Sequence, residues 1–184
     1  MTSKHLIIAA AGTGGHVMPG LAVADEMKKR GWTVSWIGTE VGMESRLVAS
    51  RNIAFDALDF TGMRGKGLAH AIKGAVKLVR ACFKAKSLVS DRHADAVFST
   101  GGYIAVPAAF GARANAKALV MMNCDAGSLM SVRAVMPWAQ AVMCGFEGAD
   151  SSSHRPYPPD SGAVCLPRNA AGGGAEVRRS GRPL

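Results

Sequence analysis

Short apolar runs alternate with longer amphipathic stretches along the first 144 residues of the chain. The apolar runs predict six strands, at residues 5–11, 33–38, 55–58, 96–99, 118–122 and 141–144. Apolar positions at helical spacing predict five helices between them, at residues 20–30, 43–51, 68–90, 106–114 and 129–135. Nearly continuous apolar strands that alternate with helices indicate an α/β fold, a doubly wound, Rossmann-like parallel sheet that is covered on both faces.

This pattern stops near Asp150, so residues 1–150 are predicted to form one domain and residues 151–184 a tail. The tail holds five of the eight prolines, a run of three glycines and no lysine. Such a segment buries too little apolar surface to fold, and we expect it to be disordered. Two interpretations stay open: a natural linker, or a stretch read out of frame from a GC-rich gene.

Composition narrows the classes of protein to consider. The chain has 184 residues, 48% of them hydrophobic, and a net charge of +9, which favours phosphate-rich or anionic partners. The four cysteines form no C-x-x-C pair and lack a histidine at metal-ligand spacing, so reduced thiols and no metal site are expected. No apolar run approaches the roughly 18 residues of a spanning helix, and any membrane contact is expected to be peripheral.

A glycine-rich loop, AGTGGH at residues 11–16, joins the first predicted strand to the first predicted helix. Glycines let the backbone approach a ligand closely, and the amides that open a helix attract anions. The dinucleotide fingerprint would need glycine where Val17 stands, and the P-loop sequence is also missing. Glu40, near the end of the second strand, leaves a nicotinamide enzyme open as an alternative.

A second glycine pair, Gly101 and Gly102, follows the fourth predicted strand and precedes Tyr103. Loops at the carboxyl ends of parallel strands face one crevice, where α/β folds bind ligands. Together the two loops predict a site for two phosphates or one diphosphate. The alternative is that each is only a tight turn between a strand and a helix.

The third predicted helix carries a basic row beside an apolar row. The basic row is Lys73, Lys77, Arg80 and Lys84, and the apolar row is Ile72, Val76, Val79 and Phe83. No acidic residue appears in this helix before Asp91, which favours contact with an anionic membrane surface over an ordinary solvated face above a core-packing face. With 6% aromatic residues and no nucleic-acid-binding motif, no nucleic acid partner is expected.

Three loops together resemble the MurG family of N-acetylglucosaminyltransferases over about residues 4–150. They are GTGGHxxP at residues 12–19, RGKG at residues 64–67 and GGY at residues 101–103. The resemblance implies one half of a B-type glycosyltransferase, whose amino-terminal domain holds the lipid-linked acceptor and whose carboxyl-terminal domain binds UDP-N-acetylglucosamine. It implies an inverting transfer to the 4-hydroxyl of undecaprenyl-diphosphate-linked N-acetylmuramyl-pentapeptide (lipid I to lipid II) in peptidoglycan synthesis, and so a role in cell shape and division. This reaction would take place without a cofactor or metal, at the cytoplasmic face of the bacterial membrane.

The resemblance also implies roles for individual residues. His16 matches the candidate base, although a loop histidine could instead only bind phosphate. The residues implied to bind the acceptor diphosphate are Gly12, Gly14, Gly15, His16, Gly101, Gly102 and Tyr103. The residues implied to contact the donor are Thr13, Gly14, Gly15 and either Asn123 or Asp125.

The sequence departs from the family in two places. Met-Asn-Cys-Asp at residues 122–125 stands where many members have His-Glu-Gln-Asn, which leaves the choice between Asn123 and Asp125 open. The donor-binding domain is absent from the chain, which is therefore expected to be an inactive fragment. The alternative is a stand-alone acceptor-binding or membrane-targeting module of a split glycosyltransferase.

Overall fold

The computed structural model describes residues 3–60, 68–124, 130–144 and 164–165. Its strands are β1 (His5–Ala9), β2 (Thr33–Gly38), β3 (Ala54–Ala57), β4 (Ala96–Ser99), β5 (Ala118–Asn123), β6 (Ala141–Cys144) and β7 (Val164–Cys165). Its helices are α1 (Gly14–Lys29), α2 (Met43–Ala49), α3 (Leu68–Asp91), α4 (Ala105–Ala114) and α5 (Met130–Val135), and a short 3-10 helix follows at Met136–Trp138.

The strands form one parallel sheet in the order β3-β2-β1-β4-β5-β6-β7. The chain starts at β1, winds outward through β2 and β3, and then returns to β4 on the other side of β1. The order reverses between β1 and β4, so the crevice between their carboxyl ends is the switch point where such sheets bind ligands. The predicted doubly wound fold is confirmed.

Alternation along β1 divides the core into two layers, because successive strand residues point to opposite faces of the sheet. Leu6 and Ile8 pack with α1 and α2, in a cluster that also contains Trp36. Ile7 and Ala9 pack with α3, α4 and α5 on the other face. Both faces of the sheet are therefore buried, which explains why the strands read as continuous apolar runs.

Most element boundaries agree with the predicted ones to within two residues, but the start of α1 does not. The prediction that this helix begins at Gly20 is wrong, since it begins at Gly14 and continues through Pro19. Pro19 lacks the amide that would bond to the Gly15 carbonyl, and the loss of that single bond does not end the helix. The last two glycines of the first loop are consequently the first two residues of α1.

Helices α3 and α4 approach closely at Gly111. A Cβ built on Gly111 would lie 2.9 Å from the carbonyl carbon and oxygen of Ala85, so only glycine fits against this backbone. Asn115, at the end of α4, donates a 3.0 Å hydrogen bond from Nδ2 to the Lys86 carbonyl. These contacts fix the carboxyl-terminal half of α3 against α4.

A polar network centred on His5 lies at the amino edge of the sheet. The His5 ring nitrogens are each 2.8 Å from a hydroxyl oxygen, Nδ1 from Thr33 and Nε2 from Ser35. The His5 amide donates a 2.8 Å hydrogen bond to Asp95. Burial, and next the positive charge of Arg92, lowers the pKa of His5 from its ordinary value. This network lies at the opposite end of the sheet from the crevice.

Within the predicted tail the structure describes only Val164–Cys165, which pair in parallel with β6. The remaining tail residues lie outside the described ranges. The prediction of a disordered or out-of-frame tail therefore stays a prediction.

Candidate functional site

The two predicted glycine loops meet at the switch point of the sheet. The Thr100 amide donates to the Ala9 carbonyl at 3.4 Å, which ties the end of β4 to the end of β1. A Cβ built on Gly102 would lie 3.6 Å from the Ala11 carbonyl oxygen, and one built on Gly12 would lie 3.6 Å from the Tyr103 ring. The loops therefore touch, and together they line one crevice.

Three loop glycines adopt backbone conformations that other residues rarely take. Gly12, Gly101 and Gly102 have φ angles of +102°, +95° and +74°. A side chain at these positions would strain the backbone. The backbone of both loops therefore requires glycine at these positions, whether or not a ligand is bound.

His16 connects the two loops. Its ring is half-buried, and Nδ1 lies 2.9 Å from the Thr100 carbonyl oxygen. A carbonyl oxygen only accepts, so Nδ1 carries the proton and donates it. In the neutral ring Nε2 is then the nitrogen with the lone pair. Cβ atoms built on Gly101 and Gly102 would lie 3.7 and 3.8 Å from the ring, which places His16 against both glycines.

The amino terminus of α1 opens directly into this loop. Thr13 is the N-cap residue, is extended and exposed, and makes no side-chain capping bond. The amides of His16 and Val17 both donate to the Thr13 carbonyl, at 3.0 and 3.1 Å. Gly14 and Gly15 are the first two helical residues, whose amides have no acceptor within the helix. They form an anion-attracting end without a Cβ in the way.

A buried carboxylate, Glu44, lies beneath the first loop and was missed in the sequence. It is fully buried in the first turn of α2. Its Oε1 accepts from the amide and hydroxyl of Thr39, at 3.0 and 2.7 Å, and Oε2 lies 3.5 Å from the Gly12 amide. In the sequence Glu44 looks like an ordinary acid in the first turn of an exposed helix, and only the fold shows that it is enclosed.

Buried polar residues lie at the carboxyl ends of β4 and β5. Ser99 and Thr100 are buried at the end of β4, and Asn123 is buried at the end of β5, the neighbouring strand. The Gly101 amide donates to the Ser99 hydroxyl at 3.3 Å. Asn123 therefore lies at the same edge of the sheet as the two loops, whereas Asp125, the alternative to it, lies outside the described residues.

The apolar row of α3 is exposed to solvent. Ile72, Val76, Val79 and Phe83 are 57%, 51%, 53% and 59% exposed. The helix packs on the sheet through other residues, chiefly Ala81, Ala85 and Val89. The core-packing interpretation of this row is therefore wrong. Phe83 also meets Phe110 of α4 edge to face, with ring centroids 6.0 Å apart, so the apolar surface continues onto α4.

Three of the four residues of the basic row form no ion pair among the described residues. They are Lys73, Arg80 and Lys84, all exposed. Lys77 donates a 2.9 Å hydrogen bond to Asp59, and both side chains are largely exposed. Asp59, in the connection between β3 and α3, thus neutralises one charge of the basic row. The sequence of the helix itself shows no acidic residue near this row. Arg64 and Lys66, which precede α3 in the sequence, lie outside the described residues.

Two features are missing from the described ranges. None of their helices combines the length and apolar character needed to cross a bilayer. They also contain no group of three His, Cys, Asp or Glu side chains placed to hold a metal ion.

Comparison with known proteins shows which protein family the sequence matches. Residues 6–143 match the model of the glycosyltransferase family 28 N-terminal domain. The UDP-N-acetylglucosamine--N-acetylmuramyl-(pentapeptide) pyrophosphoryl-undecaprenol N-acetylglucosamine transferase of Methylibium petroleiphilum is 47% identical over 158 residues, covering 84% of this chain and 43% of the relative. The protein of the same name from Chromobacterium violaceum is 44% identical, covering 81% of this chain and 41% of that relative.

Two solved structures superpose on this chain. MurG of Acinetobacter baumannii superposes with a TM-score of 0.70 at 35% identity, covering 79% of this chain and 42% of that one. A glycosyltransferase from Rickettsia africae superposes with a TM-score of 0.66 at 11% identity, which shows the shared fold alone. The chain spans about two fifths of the length of the relatives it matches.

Proposed function

The chain belongs to glycosyltransferase family 28, and from this membership we propose that it forms the acceptor-binding half of a peptidoglycan N-acetylglucosaminyltransferase. The reaction is transfer of N-acetylglucosamine from UDP-N-acetylglucosamine to the 4-hydroxyl of undecaprenyl-diphosphate-linked N-acetylmuramyl-pentapeptide. The observation that carries the proposal is the contact of the two glycine loops through His16 at the switch point.

The diphosphate is bound where the loops meet. The end of α1 offers the amides of Gly14 and Gly15, and the second loop brings Gly101, Gly102 and the half-buried Tyr103 to the same crevice. Gly12 contributes through its positive φ angle, which turns the chain into the helix. Backbone amides and a helix end suit a diphosphate because its charge is spread over several oxygens.

His16 acts as the base in this proposal. Its Nδ1 is held by the Thr100 carbonyl, so Nε2 is the nitrogen that takes the proton of the acceptor hydroxyl as that oxygen attacks the anomeric carbon. The bond from the anomeric carbon to the UDP oxygen breaks with inversion, and UDP leaves. Thr13, Gly14, Gly15 and either Asn123 or Asp125 contact the donor across the cleft.

The exposed rows of α3 rest on the cytoplasmic face of the bacterial membrane. Four apolar side chains that are more than half exposed, beside a basic row, fit the headgroup region of an anionic leaflet. This contact is peripheral, and it would keep the crevice near an acceptor whose lipid chain stays in the bilayer.

A chimera tests the proposal. Residues 1–144 are joined to the carboxyl-terminal half of the Methylibium relative, and transfer from UDP-N-acetylglucosamine to a short-chain lipid I analogue is measured. We expect transfer, and a loss of about 10²–10⁴-fold in kcat in the His16→Ala variant with little change in acceptor KM. A folded chimera that binds UDP-N-acetylglucosamine but transfers nothing would contradict the proposed function. Full activity of His16→Ala would show that His16 is not the base.

A further inference from the structure

Glu44 is an unusual group in this fold because it is a carboxylate with no exposed surface. Burying a charge is costly unless hydrogen bonds or an opposite charge replace the lost water. Within residues 3–60, 68–124 and 130–144, no Lys or Arg forms an ion pair with it. Its partners are the amide and hydroxyl of Thr39 and the amide of Gly12.

The surrounding backbone is shaped to hold this side chain. A Cβ built on Gly42 would collide with both carboxylate oxygens of Glu44, and one built on Gly38 would lie 2.9 Å from its Cγ. Gly42 thus leaves room for the carboxylate, and Gly38 leaves room for the Cγ of Glu44 and for the Phe55 ring. The first turn of α2 favours the negative charge.

The two oxygens of Glu44 point to different elements. Oε1 is fixed by Thr39, at the end of β2, whereas Oε2 reaches the Gly12 amide in the β1–α1 loop. The carboxylate therefore connects a rigid strand end to the first glycine loop, two residues before α1 begins.

We propose that Glu44 is a positioning residue of the crevice, which acts through Gly12. By holding the Gly12 amide, it fixes the turn into α1 and keeps the amides of Gly14 and Gly15 directed at the ligand. Its negative charge also repels an anion at the Gly12 amide. The diphosphate is therefore bound at the amides of Gly14 and Gly15 and not at that of Gly12. The inference rests on the proposed function, since it assumes that the loop binds a diphosphate, whether of the donor or of the acceptor.

Glu44→Asp is the decisive variant because it keeps the charge and shortens the reach of the carboxylate. Inorganic pyrophosphate is the probe, and amide signals of the 15N-labelled chain report its binding. In the parent chain we expect the Gly14 and Gly15 signals to shift much more than that of Gly12. In Glu44→Asp we expect pyrophosphate to bind about fivefold more weakly, as the loss of one hydrogen bond would give. Glu40→Asp, the same change at an exposed neighbour, should bind as the parent does.

Hydrogen exchange gives a readout that does not need the ligand. Exchange of the Gly12 amide should be roughly tenfold faster in Glu44→Asp, while amides of β4 and β5 keep their rates. A general loss of stability would raise exchange in those strands as well. If Glu44→Asp does not fold, Thr39→Val removes one donor to the same carboxylate, and the same local change in Gly12 exchange is expected.

The outcomes separate the two proposals. Parent-like affinity and parent-like Gly12 exchange in Glu44→Asp would overturn the role of Glu44 and leave the diphosphate site intact. A parent chain that does not respond to pyrophosphate would overturn the diphosphate site of the proposed function, and with it the ligand that Glu44 is said to serve. A Gly12 signal that shifts as much as those of Gly14 and Gly15 would overturn the placement of the anion.

Discussion

Replacing Arg80 and Lys84 by alanine tests the proposed membrane contact of α3 most directly. Both side chains are exposed, and neither has an acidic partner in the described part of the chain, unlike Lys77 with Asp59. Each basic residue near an anionic surface contributes about 1 kcal/mol to binding. The double variant should lose about 2 kcal/mol, which corresponds to a roughly 30-fold weaker partition onto anionic vesicles.

The assay is sedimentation with phosphatidylglycerol-containing vesicles at about 0.1 M salt, where the Debye length is about 10 Å. The double variant Lys29→Ala, Arg46→Ala is the matched control, because it removes two exposed charges from the other face of the sheet. The control should bind within a factor of about two of the parent, since charges beyond a Debye length of the bilayer are screened. Equal losses in the two double variants would mean that net charge alone drives binding, and no loss in either would refute the contact.

The remaining predictions concern stability. Gly111→Ala should reduce the free energy of unfolding by about 1–3 kcal/mol in urea titrations, because its Cβ would meet the Ala85 backbone and force α3 away from α4. An unchanged midpoint would show that the two helices can move apart at no cost in stability. Stability should also fall as the pH is lowered below about 6.5, since the lowered pKa of His5 means that the unfolded chain binds more protons in this range. Urea titrations between pH 5 and 7.5 should show a weaker pH dependence in His5→Gln, and equal slopes in the two proteins would assign the effect elsewhere.

The layout of strands and helices could be predicted because both faces of the sheet are covered. Each strand must then be apolar throughout, and runs such as residues 5–9 stand out against the helices. The start of α1 could not be predicted in the same way. Gly14, Gly15 and Pro19 all have low helix propensity, and only tertiary packing of Val17 and Leu21 against β1 makes this segment helical.

The residues of the candidate site could also be predicted only in part. Its glycines and His16 could be predicted to lie close together because they follow directly on the ends of β1 and β4, where their spacing is visible in the sequence. Glu44 could not, because its burial depends on Gly12, which is distant in the chain, and on Gly42, which leaves it room. The exposure of the α3 apolar row was favoured in the sequence by the absence of an acidic residue before Asp91, although a helical row of this kind usually faces the core.

The hydrogen bond from His16 Nδ1 to the Thr100 carbonyl has a consequence for the proposed role of His16 as a base. Nδ1 carries a proton in both the neutral and the charged ring, so this bond persists whether or not Nε2 is protonated. A proton can then arrive at Nε2 and depart from it while the ring keeps its place against Gly101 and Gly102. In the proposed reaction, successive cycles would then start from one geometry, with no step needed to return His16 to its position.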